Sequence, residues 1–195
     1  MNRTWNFEKG AWQAEDFLSA ASSRVEYRLT FGQKDDCIHN EGADKMDEYA
    51  YVSMVHRTPV SLPCLLETEC SFRTYGAPLL ILADAVDTLP DGRLQYGHHI
   101  EVVGWEKGIN VWDLTPDPEA PNGQRTVNLG RFSFPIEDGA RFLLTARADR
   151  RGLVVGAEVN GRSAQFDCPC VLPEKCYVGI TACEGENYFY RFSIR

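Results

Sequence analysis

The sequence predicts an all-β fold, a two-sheet antiparallel jelly-roll sandwich, on three observations. Alternation of apolar and polar residues with period two dominates the 195 residues. Helical periodicity is almost absent, and Gly, Pro, Asn and Asp cluster between the alternating runs as turns. A chain of this length suffices for one well-buried core. No linker, low-complexity tract or internal repeat interrupts it, so one domain over 1–195 is expected.

The elements follow in order. After the opening "WNFEKGAW", only "EDFLSAA" (15–21) and "DKMDEYA" (44–50) carry enough helical character for a turn or two. "RVEYRLTF" (24–31) sets Val25, Tyr27, Leu29 and Phe31 against Arg24, Glu26, Arg28 and Thr30, the pattern of a half-buried antiparallel strand. "EYAYVSMVHR" (48–57) reads as another strand. "CLLETECSFR" (64–73) places Leu66, Cys70 and Phe72 opposite Glu67, Glu69, Ser71 and Arg73. "PLLILADAV" is a short apolar run that stops at the turn residues "LPDG". "GARFLLTARADRRGLVVGAEVNGR" predicts a hairpin about "DRRG" and a second turn at "NG". "CYVGITACEG" and "NYFYRFSIR" supply the last strands.

Composition excludes several classes of function. The net charge of −8 and the lack of any basic run argue against nucleic acid or an anionic membrane as partner. No apolar stretch approaches the eighteen or so residues of a membrane helix, and "MNRTWNFEKGAW" lacks the apolar region of a secretory signal, so a cytoplasmic location is expected. The odd count of seven cysteines then favours reduced, buried thiols over disulfides. "CPCVLPEKC" holds Cys168, Cys170 and Cys176, but no C-x-x-C pair or nearby His completes a zinc set, so no metal is expected. The acids of "DAVDTLPDG" match no calcium loop. No Gly-rich phosphate loop leads into a helix and no nucleophile elbow is present, so no cofactor is expected and Ser-His-Asp chemistry has no support.

Three segments carry a resemblance. "ARFLLTARADRRGLVVGAEVNGR" looks like a pair of sandwich strands ending in Asn-Gly. "YVGITACEGENYFYRFSIR" looks like a closing element with an aromatic-rich last strand, beside which "WNFEKGAW" would pair. Together they resemble the concanavalin A-like lectin and glucanase superfamily. The resemblance implies a two-sheet jelly roll with joined termini. It does not select among sugar-binding modules, glycosidases and domains without a ligand, because its motifs are structural.

The densest chemistry lies in "YGHHIEVVGWEKGINVW" (96–112). A strand starting near Leu94 puts Leu94, Tyr96, His98, Ile100 and Val102 on the core face. His99, Glu101 and Trp105 then lie on the outer face, where an indole can stack on a sugar ring while imidazole and carboxylate bond its hydroxyls. Trp112 would continue that platform, with Arg73 and Tyr75 on an adjacent strand and Asp84 at a strand end near the cleft. His56 reads as a strand histidine with its bonds satisfied, and His39 as a loop residue.

Glu101 and Glu106 in "EVVGWE" also resemble the E-x-D-x-x-E motif of glycoside hydrolase family sixteen, with Gly104 marking the bulge that would aim both at one cleft. The resemblance implies Glu101 as nucleophile and Glu106 as acid/base of a retaining mechanism. The motif's Asp falls at Val103, which cannot hydrogen-bond a carboxylate.

The expected function is therefore a non-catalytic, carbohydrate-binding jelly roll with an oligosaccharide as partner. His99, Glu101, Trp105, Trp112 and Arg73 are its expected ligand contacts. A retaining glycosidase using Glu101 and Glu106, and a structural sandwich forming homo-oligomers, are the alternatives.

Overall fold

The computed structural model describes residues 2–23, 30–40 and 51–195. The expected helical turn at 44–50 and most of the strand expected at 24–31 lie outside the described residues. The early strands are β1 (Arg3–Asn6), β2 (Phe17–Ser19), β3 (Gly32–Gln33), β4 (Ile38–His39), β5 (Val52–His56) and β6 (Val60–Ser61). Then come β7 (Cys64–Arg73), β8 (Ala77–Ala83), β9 (Val86–Thr88) and β10 (Leu94–Tyr96). The next four are β11 (His99–Trp105), β12 (Gly108–Pro116), β13 (Gln124–Ser133) and β14 (Phe142–Asp149). The last four are β15 (Gly152–Val159), β16 (Arg162–Pro169), β17 (Lys175–Cys183) and β18 (Glu186–Ile194).

Among the described residues, two eight-stranded antiparallel sheets face each other. The back sheet runs β16-β15-β14-β7-β18-β4-β3 with β1 beside β18. The front sheet runs β13-β12-β11-β8-β17-β5-β2 with β6 beside β17. The chain changes sheet between β7 and β8, β13 and β14, β16 and β17, and β17 and β18, so strands adjacent in sequence contribute to opposite walls of one core. Leu66, Cys70, Phe72, Phe142 and Leu144 fill it from the back, and Leu80, Leu82, Ile100, Val102, Val111, Val178 and Ile180 from the front. Each large side chain fully withdrawn from water contributes roughly 1.5–3 kcal/mol before the entropy cost of ordering it.

The local expectations are largely met. β7 alternates as its sequence requires, with Leu66, Cys70 and Phe72 inward. β14 and β15 form the hairpin about "DRRG", where Asp149 Oδ1 accepts from the Arg151 backbone N–H at 2.7 Å. Asn160 and Gly161 take φ of 51° and 73°, the paired left-handed turn that Asn-Gly favours, and β16 follows directly. Arg3 pairs with Ile194 as β1 lies along β18, which joins the termini.

Three expectations change. "EDFLSAA" is not helical beyond a single 3-10 turn at Ala14–Asp16, because Phe17–Ser19 pairs with β5 instead. His39 belongs to β4 rather than a loop, with its ring stacked 5.9 Å from that of Tyr188. The strand expected from Leu94 to Trp105 is two strands. Gly97 donates its N–H to Ala85 and the His98 carbonyl accepts from Asp84, so the chain turns between β10 and β11.

The break changes which side chains share a face. Tyr96 does not join Ile100 in the main core. It enters a second apolar cluster on the outer surface of the front sheet, with Tyr51, Val55, Leu79, Ile81 and Ala83. The β9–β10 hairpin joins neither sheet and packs onto that cluster through Val86 and Leu94. This cover explains why every residue of β8 is buried: both of its faces are dry.

Candidate functional site

The outer face of the front sheet is set by register. Glu101 pairs with Ile81 on one side and Trp112 on the other, and Val103 pairs with Leu79 and Asn110. Trp105 lies two residues further along the same face. A register shift in the pairing of β12 with β13 falls beside Trp112, where the extra residue bends the sheet locally. Leu79, Glu101, Val103, Trp105, Asn110 and Trp112 line a cleft of about 600 Å³, with Tyr75, Glu106, Lys107 and Glu184 at its mouth. That volume falls in the range of small-molecule sites.

Trp105 and Trp112 are half-buried, so each indole keeps an accessible surface within the cleft. Glu101 is almost fully buried at 2% exposure. The Tyr51 hydroxyl donates to Glu101 Oε1 at 3.3 Å, and His99 Nε2 stands 3.8 Å from the same oxygen. His99 Nδ1 donates to the Gly97 carbonyl at 2.8 Å, which fixes the ring with Nε2 toward the carboxylate. Arg131 Nε donates to Asn110 Oδ1 at 2.9 Å and orients that amide. At the mouth, Lys107 Nζ lies 3.6 Å from Glu106 Oε1 and 5.2 Å from the Trp105 ring centroid.

The structure brings Glu101, Trp105 and Trp112 together, with His99 directly behind Glu101. It does not bring Arg73. That side chain is on β7 of the back sheet and lines a separate groove on the opposite outer face with Lys34, Ser71, Tyr188 and Tyr190. The chain crosses between sheets at Thr74 and Tyr75, whose φ values of 52° and 65° make the reversal, so Tyr75 reaches the cleft while Arg73 cannot. Asp84 is exposed beside Gly97, away from the cleft lining. His98 is not a core residue; its Nε2 meets Asp113 Oδ1 at 2.9 Å. His56 is buried, with Nδ1 bonded to the Thr58 carbonyl at 2.7 Å and Nε2 3.1 Å from Arg3 Nη1, as a strand histidine requires.

The bulge expected at Gly104 is absent. Pairing of β11 with β12 runs without a shift from His99 to Trp105. Gly104 instead faces the core, where a Cβ would stand 2.8 Å from the Phe142 ring. Glu101 and Trp105 are thus separated by roughly 14 Å of regular strand. Glu106 lies beyond Trp105 in the turn, half exposed and paired with Lys107, whereas Glu101 is held at the Tyr51 and His99 end. The two carboxylates share a cleft but are not drawn toward each other.

Sequence reasoning missed Tyr51, Asn110 and Glu184. Tyr51 sits in the run "YAYVSMV", where either tyrosine fits a strand face, and nothing local marks its partner fifty residues away. Six of the seven cysteines are buried and Cys170 is half-buried. Burial pushes the Cys64 thiol up to about 11 and that of Cys176 to about 12, so both stay protonated at neutral pH. Among the described residues, no group of three or more His, Cys, Asp or Glu is placed to hold a metal ion.

The two facing antiparallel sheets define the concanavalin A-like lectin and glucanase fold. Solved structures agree. The carbohydrate-binding module CBM66 from Bacillus subtilis matches with a TM-score of 0.59 over 89% of this chain and 91% of that one, at 10% identity. Lectin UEA-II complexed with galactose matches at 0.59 over 100% and 97%, with 9% identity. The exoplasmic/lumenal domain of VIP36 in its Ca2+/Man3GlcNAc-bound form matches at 0.56 over 92% and 82%, with 12% identity. No protein-family model matches the sequence, and no curated protein matches it either. At such identities the likeness establishes the fold.

Proposed function

We propose that this chain is a non-catalytic carbohydrate-binding module whose ligand occupies the front-sheet cleft. One observation carries the reading: Trp105 and Trp112 present accessible indoles in the same cleft as the buried carboxylate of Glu101. Two indoles offer apolar platforms to sugar rings, and Glu101 and Asn110 offer hydrogen-bond partners to hydroxyls. The recorded ligands of structural neighbours, galactose for UEA-II and Man3GlcNAc for VIP36, support a saccharide as the class. Turnover is not part of the proposal, because retaining hydrolysis needs its carboxyl groups about 5–5.5 Å apart and the unbulged β11 does not draw Glu101 and Glu106 together.

The test is tryptophan fluorescence titration against linear malto-, cello-, xylo-, manno- and fructo-oligosaccharides, beside fluorogenic glycosides. Binding by the wild type, its loss in Trp105→Ala/Trp112→Ala and no glycoside turnover are expected. Unchanged fluorescence across the panel would remove the proposal, and turnover abolished by Glu101→Gln would replace it with the glycosidase.

A further inference from the structure

We infer that the groove on the outer face of the back sheet is a second binding site, which takes a small ligand through an oxyanion: a phosphate, sulfate or carboxylate group. The groove holds about 240 Å³ and is lined by Lys34, Ser71, Arg73, Gly139, Tyr188 and Tyr190. Its charged lining among the described residues is therefore cationic, in a chain of net charge −8.

Strand register builds the groove. Tyr188 pairs with Ser71 and Glu186 with Arg73, so Arg73 stands diagonal to Tyr188 on one face of β7 and β18. A register shift between Phe189 and Arg191 leaves Tyr190 as the extra residue of β18, and its hydroxyl meets Ser71 Oγ at 3.0 Å. Ser71 is buried at 3% exposure, so this hydroxyl pair lies deep in the groove. One hydrogen is shared between the two oxygens, which leaves the other for an acceptor. Lys34 follows β3, and its Nζ rests 4.6 Å from the Tyr188 ring centroid. Gly139 leaves room beside Arg73, where a Cβ would stand 3.7 Å from Nε.

The two cations differ from their neighbours in what they face. Arg141 meets Asp36 at 2.7 Å and Glu69 at 3.7 Å, and Arg195 pairs with Glu67. Among the described residues, no carboxylate oxygen comes within 4.0 Å of the Lys34 ammonium or the Arg73 guanidinium. Two nearby acids are turned to other donors: the Tyr188 hydroxyl donates to Glu186 Oε2 at 2.6 Å, and the Thr74 N–H to Asp138 Oδ2 at 3.1 Å.

A guanidinium offers a planar fork to two oxygens, an ammonium a compact charge and a hydroxyl a directed hydrogen, which together suit an oxyanion. The rings hold cations more than they offer platforms, since Arg141 lies 3.5 Å over Tyr190 and Lys34 lies over Tyr188. The front cleft has the opposite balance, with Glu101, Glu106 and Glu184 against Lys107. The two sites thus select different ligands.

The experiment is an NMR titration of the wild-type chain with inorganic phosphate, inorganic sulfate, glucuronate and neutral glucose at constant low ionic strength. At least one of the three anions is expected to shift the amides of Ser71, Arg73 and Tyr190 saturably, and glucose is not. The anion with the lowest Kd separates a tetrahedral oxyanion from a sugar carboxylate. Lys34→Ala and Arg73→Ala should each raise that Kd at least about tenfold. Arg73→Lys should lose less, because it keeps the charge without the fork. Arg147→Ala removes a charge from the same sheet outside the groove and should change Kd by less than about twofold. No saturable shift with any anion, an equal shift with glucose, or an equal loss in Arg147→Ala would overturn the inference. Each of these results leaves the front-cleft reading untouched.

Discussion

The two outer faces of the sandwich are built from the same alternating strands and behave oppositely. On the back sheet, β7 turns Glu67, Glu69 and Arg73 outward toward solvent, and Arg141 lies 3.7 Å from Glu69. Arg195 pairs with Glu67 there, and Arg141 with Asp36 at 2.7 Å while lying 3.5 Å over the Tyr190 ring. On the front sheet, the equivalent outward positions of β8 are Ala77, Leu79, Ile81 and Ala83, all buried. A strand without alternation in a sandwich signals a covered face. Here the cover is Ala20 and Ala21, the β9–β10 hairpin and Tyr51, and the part left uncovered is the cleft.

Substitutions sharpen that contrast. Ile81→Ala on the roofed face is expected to cost about 2–5 kcal/mol in urea unfolding, as for any buried aliphatic, whereas Arg147→Ala on the back face changes stability by no more than about 0.5 kcal/mol. Equal effects would show that the roof is not packed as described. Gly104→Ala places a methyl group 2.8 Å from the Phe142 ring and is expected to destabilise by about 1–3 kcal/mol. Phe142→Leu should recover part of that loss in a double-mutant cycle, because the two sites share one contact. A neutral Gly104→Ala would reopen the bulge.

Next in size, Trp112→Ala is expected to weaken saccharide affinity at least about tenfold, about 1.4 kcal/mol by calorimetry. Tyr188→Ala in the back-face groove should leave it unchanged, and the reverse result would move the site to the other sheet. The smallest effect belongs to residues 21–23, which hydrogen-bond both the β9–β10 hairpin and the start of β13. Ser22→Ala removes the bond to Gln124 and is expected to cost about 1 kcal/mol by thermal unfolding. It should also raise amide exchange at Tyr96, whose N–H is held by Ala21. Exchange unaltered there would mean that residues 21–23 and the hairpin are not coupled.

The structural elements were more legible than the site. Leu66, Cys70 and Phe72 are readable as core because a strand's side chains alternate by geometry. The Asn160–Gly161 turn is readable because few residue pairs tolerate two left-handed conformations in succession. Alternation carried through Gly97 and His98 puts Tyr96 on the core face, but the chain turns there and the ring packs outside the front sheet. Gly104 suggests a bulge, but its constraint is Phe142 on the facing sheet, a contact no local pattern encodes. Arg73 falls outside the cleft because the sheet to which β7 belongs is invisible until strands pair.

Trp105 and Trp112, by contrast, are close in sequence, and the short hairpin of β11 and β12 sets both along one cleft, with Trp112 opposite Glu101 and Trp105 four residues further on. Alternation, turn residues and charge are properties of nearby residues, so they were enough to establish the all-β class, most strand positions and the outward direction of Glu101. Whether an outward side chain meets water, a roof or a ligand depends on segments tens of residues away. Only the assembled sandwich decided that Glu101 lines a cleft with Trp105 and Trp112.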